Sequence, residues 1–209
     1  MPLAPRRQRA FTFVFGVSLF AFSDWAGAGA DPPSRVARLG YLSGPVSFSS
    51  AGENDWVQAG LNRPVTSGDR LWSERGGRVE VQLGGALLRM AADTALAFLN
   101  LDDRITQLQL TQGVLNLRVR RLPANQVFEI DTPNLAFTLR RPGQYRISVD
   151  AESNTTTVLV RQGQGEAHGD GVVYLIEAGQ PYRFSGSDLR QRHLLDKPRP
   201  DGFALGQRA

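Results

Sequence analysis

The feature that most constrains this chain is a period of two. In Leu115-Asn116-Leu117-Arg118-Val119, apolar and polar residues alternate without a break. Side chains along a strand point to opposite faces in turn, so such a stretch is a strand buried on one side and wet on the other. The pattern predicts Leu115, Leu117 and Val119 inward, with Asn116 and Arg118 outward. It recurs in Val79-Glu80-Val81-Gln82-Leu83, around Gln109 between Leu108 and Leu110, in Tyr145-Arg146-Ile147-Ser148-Val149, and at Val158 and Val160. Turn-forming pairs separate these runs, among them Gly44-Pro45, Gly76-Gly77, Gly84-Gly85, Gln112-Gly113, Pro142-Gly143 and Gln162-Gly163. The expected fold is all-β: short antiparallel strands in a sandwich or a solenoid-like β module, with no substantial helix outside the leader. The apolar pairs of residues 84–119 are compatible with solenoid-like coiling, although no strict repeat is present, and sandwich and solenoid both stay open.

The first thirty residues read as an export signal. Arg6, Arg7 and Arg9 precede an apolar run at 10–22, and Ala28-Gly29-Ala30 stands directly before Asp31-Pro32-Pro33. The run is shorter than the ~20 residues a spanning helix needs, so cleavage after Ala30 and no stable membrane insertion are expected. The Arg6-Arg7 pair also suits a twin-arginine signal. The expected organisation is a signal peptide at 1–30, a β domain at 31–185 and a loosely ordered tail at 186–209, with a periplasmic location. Losing three arginines and one aspartate with the leader lowers the formal charge from +4 to +2. That balance gives no reason to expect nucleic acid as a partner.

Chemistry is sparse. The chain has no Cys and two His, which removes thiol chemistry and disulfides and makes a multi-histidine metal site hard to assemble. No nucleophile elbow, phosphate-cradling loop or zinc-protease helix occurs. Asp102-Asp103 reads as a solvated turn. Glu129 and Asp131 share one side of a strand, and two carboxylates on one strand cannot flank a glycosidic bond. His168 and His193 are expected in a turn and in the tail, and Trp56 and Trp72 as core anchors. No enzyme, cofactor or metal is therefore expected. The candidate binding residues are Arg118, Arg120, Arg121, Arg140 and Arg141, whose planar forks suit carboxylates or phosphates. A plain solvated face is the alternative. In an antiparallel meander with a single strand between them, the two arginine groups would sit within roughly 10 Å, two inter-strand spacings.

An ordered set of residues resembles a known family. Trp56 precedes Gly68-Asp69-Arg70-Leu71, and residues 79–83 lead into Gly84-Gly85-Ala86. Then come Gln112-Gly113-Val114-Leu115, Phe128-Glu129-Ile130-Asp131-Thr132-Pro133, Tyr145-Arg146-Ile147, Thr157-Val158-Leu159-Val160 and Ala178-Gly179-Gln180. Over residues 36–184 this resembles the FecR-type periplasmic β domain. Asp31-Pro32-Pro33-Ser34-Arg35-Val36 and Asn100-Leu101-Asp102-Asp103-Arg104 look closer still to a secreted FecR-like subfamily of proteobacteria. The resemblance implies a module that works by contact, in FecR by relaying the state of an outer-membrane receptor to a cytoplasmic anti-sigma segment. The nine residues ahead of the apolar run are too few for such a segment, and Arg141-Pro142-Gly143-Gln144 departs from the family pattern. The expected role is a non-enzymatic binding or scaffolding module with an envelope protein partner. The rivals are a relay partner of an outer-membrane receptor and an envelope hydrolase or polysaccharide-binding protein. The last predicts convergent carboxylates beside an exposed Trp56 or Trp72.

Overall fold

The computed structural model describes residues 35–179, 181–189 and 191–195, so the apolar run, the expected cut after Ala30 and the chain beyond 195 lie outside the described residues. Seventeen strands and no helix occur among them. In chain order they are β1 Ala37–Ser43, β2 Val46–Ser49, β3 Val57–Gln58, β4 Pro64–Val65, β5 Arg70–Ser73, β6 Arg78–Leu83, β7 Ala86–Met90, β8 Thr94–Leu101 and β9 Ile105–Val119. There follow β10 Val127–Asp131, β11 Ala136–Leu139, β12 Gly143–Asp150, β13 Thr155–Gln162, β14 Gln164–Gly169, β15 Val172–Glu177, β16 Tyr182–Ser185 and β17 Gln191–Leu194.

The pairings make two layers. The first runs β4-β1-β6-β7-β9-β12-β13-β16-β17. The second runs β3-β2-β5-β8-β9-β10-β11-β14-β15. Strand β9 belongs to both. Its first half pairs with β8 and β10, and its second half with β7 and β12. The change of layer comes at Gly113, which has φ +88. A Cβ there would strike Thr94 and the Asp93 carbonyl, so glycine answers both the backbone conformation and the close approach. Gln112-Gly113 is thus a bend inside one long strand, not the turn its composition suggests.

Each layer turns one face inward. Leu115, Leu117 and Val119 are at most 3% exposed, while Arg118 is exposed, as the alternation requires. One apolar cluster draws on both layers. Phe137 of β11 meets Tyr145 of β12 edge-on, and Tyr174 of β15 meets Phe184 of β16, so rings from the two layers touch across the middle. Tyr145 also closes the corner where the chain changes layer. Its hydroxyl donates to the Arg141 carbonyl and accepts from the Gln164 N–H at 3.3 Å, so it ties together the two places where the chain changes layer.

Several expectations need correction. The strands are not a simple meander: β9 and β10 run parallel, and β9 pairs directly with β12. Trp56 is 47% exposed and Trp72 half-buried, because both stand on the outward side of the second layer, where the Arg70 guanidinium lies over the Trp56 ring at 5.3 Å. His168 lies in strand β14 and His193 in β17, inside the segment expected to be a loose tail.

Candidate functional site

The outer face of the first layer is built from the residues that the apolar alternation leaves over. Register aligns Glu80, Arg89, Asn116, Arg146 and Leu159 in one row across β6, β7, β9, β12 and β13. The next row holds Gln82, Leu87, Arg118, Gln144 and Gln162. Arg38 and Arg78 stand outward on the same layer. Glu80 accepts a hydrogen bond from Arg89 Nε at 2.9 Å, and both side chains are largely buried. Asn116 faces outward yet is 7% exposed, between Arg89 and Arg146 in register. Its Oδ1 accepts from Arg146 at 3.4 Å.

Two adjoining grooves open at the end of this face, both walled by the 84–86 turn and Arg120. One, of about 490 Å³, adds Arg35, Arg121 and Phe128. The other, of about 470 Å³, adds Arg89, Arg118 and Glu80. The backbone N–H of Arg120 donates to the Gly85 carbonyl at 2.9 Å, which fixes the arginine run against the turn. Arg120 lines both grooves, Arg121 the first and Arg118 the second. Arginine forks arranged this way can hold carboxylate or phosphate groups.

Arg140 is placed elsewhere. It follows β11 in the second layer and donates to Glu166 at 2.5 Å. That hydrogen bond holds the Glu166 carboxyl below the usual carboxylate range. Arg141 stands two residues before Gly143, which pairs with Val119, so it lies at the same end as Arg120 and Arg121. Direct pairing of β9 with β12 puts it there, where a meander with an intervening strand was expected.

The remaining chemical groups are engaged locally. Asp102 Oδ1 accepts from the N–H groups of Arg104 and Ile105, the turn its sequence suggests. Gln107 donates to both Glu129 and Asp131, at 3.3 and 2.8 Å, and Thr138 donates to Glu129. Burial, then the Glu129 charge, pushes the Asp131 carboxyl up. His168 Nε2 lies 3.2 Å from Glu166, within ion-pair range but without hydrogen-bond geometry. Trp56 lines a separate groove of about 520 Å³ whose lining carries one carboxylate, Glu74. Convergent carboxylates beside that tryptophan, which a hydrolase would need, are not among the lining residues. Among the described residues, no three His, Asp or Glu side chains converge as metal ligands.

The alternation could have revealed Arg89, which stands between inward Leu88 and Met90. Arg161 gave no local signal. It is the extra residue of a β-bulge, because Gln144 pairs with Gln162 while Tyr145 pairs with Val160.

Residues 69–164 match the FecR protein family. This stretch, under half of the chain, includes β5 to β13 and so the whole row from Glu80 to Leu159. Two crystal structures of a "putative anti-sigma factor" from Parabacteroides distasonis ATCC 8503 share the fold, each at 15% identity and TM-score 0.51. The similarity covers 61% of this chain and 58% of that one, so the chain spans under two thirds of its structural neighbour. No curated protein matches the sequence.

Proposed function

We propose that this chain is an exported, non-enzymatic FecR-like β module that binds a protein partner in envelope signalling. Its contact surface is the arginine-lined end of the first layer, at Arg118, Arg120 and Arg121, with Arg141 at the same end. The observation that carries this reading is the pair of adjoining grooves sharing Arg120, built on strands that fall inside the FecR match. The fold shared with a "putative anti-sigma factor" supports a signalling role over catalysis. Arginine forks at a groove select an acidic segment on the partner, and the field of the face speeds its encounter. Among the described residues no helix is long and apolar enough to cross a membrane. Together with the leader pattern of residues 1–30, this supports a periplasmic location after cleavage at Ala30.

The test is a crosslinkable residue in place of Arg120, expressed in the native host, compared with a variant carrying Arg118, Arg120 and Arg121 as Ser. A discrete envelope protein should crosslink at Arg120, and its capture should weaken in the triple variant and in high salt. A folded triple variant that retains every wild-type partner would overturn the surface assignment. Fractionation with intact-mass analysis tests export: the chain should begin at Asp31 in the periplasmic fraction.

A further inference from the structure

We propose that the pocket between Arg89, Asn116, Arg118 and Arg161 binds one small oxyanion of phosphate size and charge. Two buried donors point to it. Asn116 Nδ2 has no hydrogen-bond acceptor, although the Oδ1 of the same side chain accepts from Arg146. One terminal nitrogen of Arg161 is likewise buried and unpaired. Native proteins rarely leave such donors empty-handed, because each lost its water on burial. Both residues line the same small cavity, of about 50 Å³, which has room for one compact group.

The bulge explains how Arg161 comes to be there. An extra residue in β13 breaks the strict alternation, and bulges re-aim side chains in this way beside functional sites. The charge is one-sided. Arg89, Arg118 and Arg161 line the cavity with no carboxylate among its lining residues, while Glu80 is held on the Nε of Arg89. The donors come from three strands, β7, β9 and β13, on both sides of β12. Donors converging from several sides suit a tetrahedral ion better than a flat carboxylate. The pocket shares Arg118 with the contact surface proposed above, but a small ion needs no protein partner to bind there.

The test titrates the full chain with inorganic phosphate against sodium chloride of matched ionic strength. Binding is read from the Asn116 side-chain amide resonance and from the melting temperature, which a ligand of the native state raises. Saturation at one site is expected, with acetate binding more weakly. Arg161→Gln should weaken phosphate about tenfold or more, since it removes a charge-assisted contact. Arg38→Gln, on the same face but outside the cavity, should leave affinity within twofold. Arg161 occupies a half-buried bulge, so its variant should keep the fold, and the melt without phosphate checks that. No saturable shift beyond the chloride control would mean that water satisfies these donors, and the proposal fails. It fails equally if the two variants behave alike or if acetate binds as tightly as phosphate.

Discussion

Replacing Gly113 by Ala tests the joint on which both layers depend. Two costs add at this position. The φ of +88 is a conformation that L side chains rarely adopt, and forcing it costs roughly 1–2 kcal/mol. The new Cβ would also lie 2.5 Å from the Asp93 carbonyl oxygen and 2.6 Å from Thr94 Cα. These are backbone atoms of the β7–β8 connection and the start of β8, which cannot swing aside as a side chain would. Overpacking of this kind costs typically about 1–3 kcal/mol. The sum is about 2–5 kcal/mol. Gly76 is the matched control, because it has φ +79 but nothing within 4 Å of its added Cβ. Gly76→Ala should therefore cost only the conformational part, about 1–2 kcal/mol. Urea melts of the two variants read the difference directly. Equal losses would refute the argument, since they would mean that β9 does not press against β8 at its change of layer.

Three further outcomes are expected. Leu117→Ala should lower stability by about 2–5 kcal/mol through the cavity it leaves, while Arg118→Ala should stay within about 0.5 kcal/mol, measured in denaturant melts. Tyr145→Phe should cost about 1–3 kcal/mol, because it strips the donor from the Arg141 carbonyl and the acceptor from the Gln164 N–H at the corner, and thermal melts check it. Asp131 has its folded pKa raised above the ordinary value of 3.8, by burial first and the Glu129 charge second. The folded chain thus holds a proton that the unfolded chain has lost. That contribution is full below the ordinary value and fades as pH rises through the raised one. Asp131→Asn should therefore gain stability over the wild type near neutral pH, with the gap narrowing in acid, read as melting temperatures across that range.

What the sequence shows is the part of the fold fixed by near neighbours. Leu115, Leu117 and Val119 could be assigned inward because the pleat alone decides it. Partner choice is non-local, so the direct pairing of β9 with β12 and its parallel pairing with β10 left no trace in composition. That is why Arg140 was grouped with Arg118 although it belongs to the other layer. Gly113 carries an ambiguous signal: a Gln-Gly pair is compatible with a turn and with a bend, and only the approach of Thr94 distinguishes them. Trp56 shows the limit of residue type. A large aromatic side chain usually enters the core, but this one precedes the two-residue edge strand β3 and stays 47% exposed, with the Arg70 guanidinium over its ring. Arg161 was out of reach entirely, since a bulge exists only in relation to the strand beside it.

The two outward faces differ in a way that the net charge conceals. The formal +4 suggests weak electrostatics. The first layer nevertheless turns out Arg38, Arg78, Arg89, Arg118, Arg146, Arg161 and Arg183 against Glu80 and Asp150. The second turns out Glu129, Asp131, Glu166 and Glu177 against Arg70 and Arg140. Charges of opposite sign on opposite sides partly cancel in the sum, but not in the field an approaching molecule meets within a Debye length, about 8–10 Å at moderate salt. An acidic partner or a small anion is therefore drawn to the first face and turned away from the second. Glu80 is held on Arg89, while Arg118 and Arg120 line the groove at the end of that face. Association should accordingly slow as salt is raised, and neutralising Arg118 or Arg120 should slow it in the same way without salt.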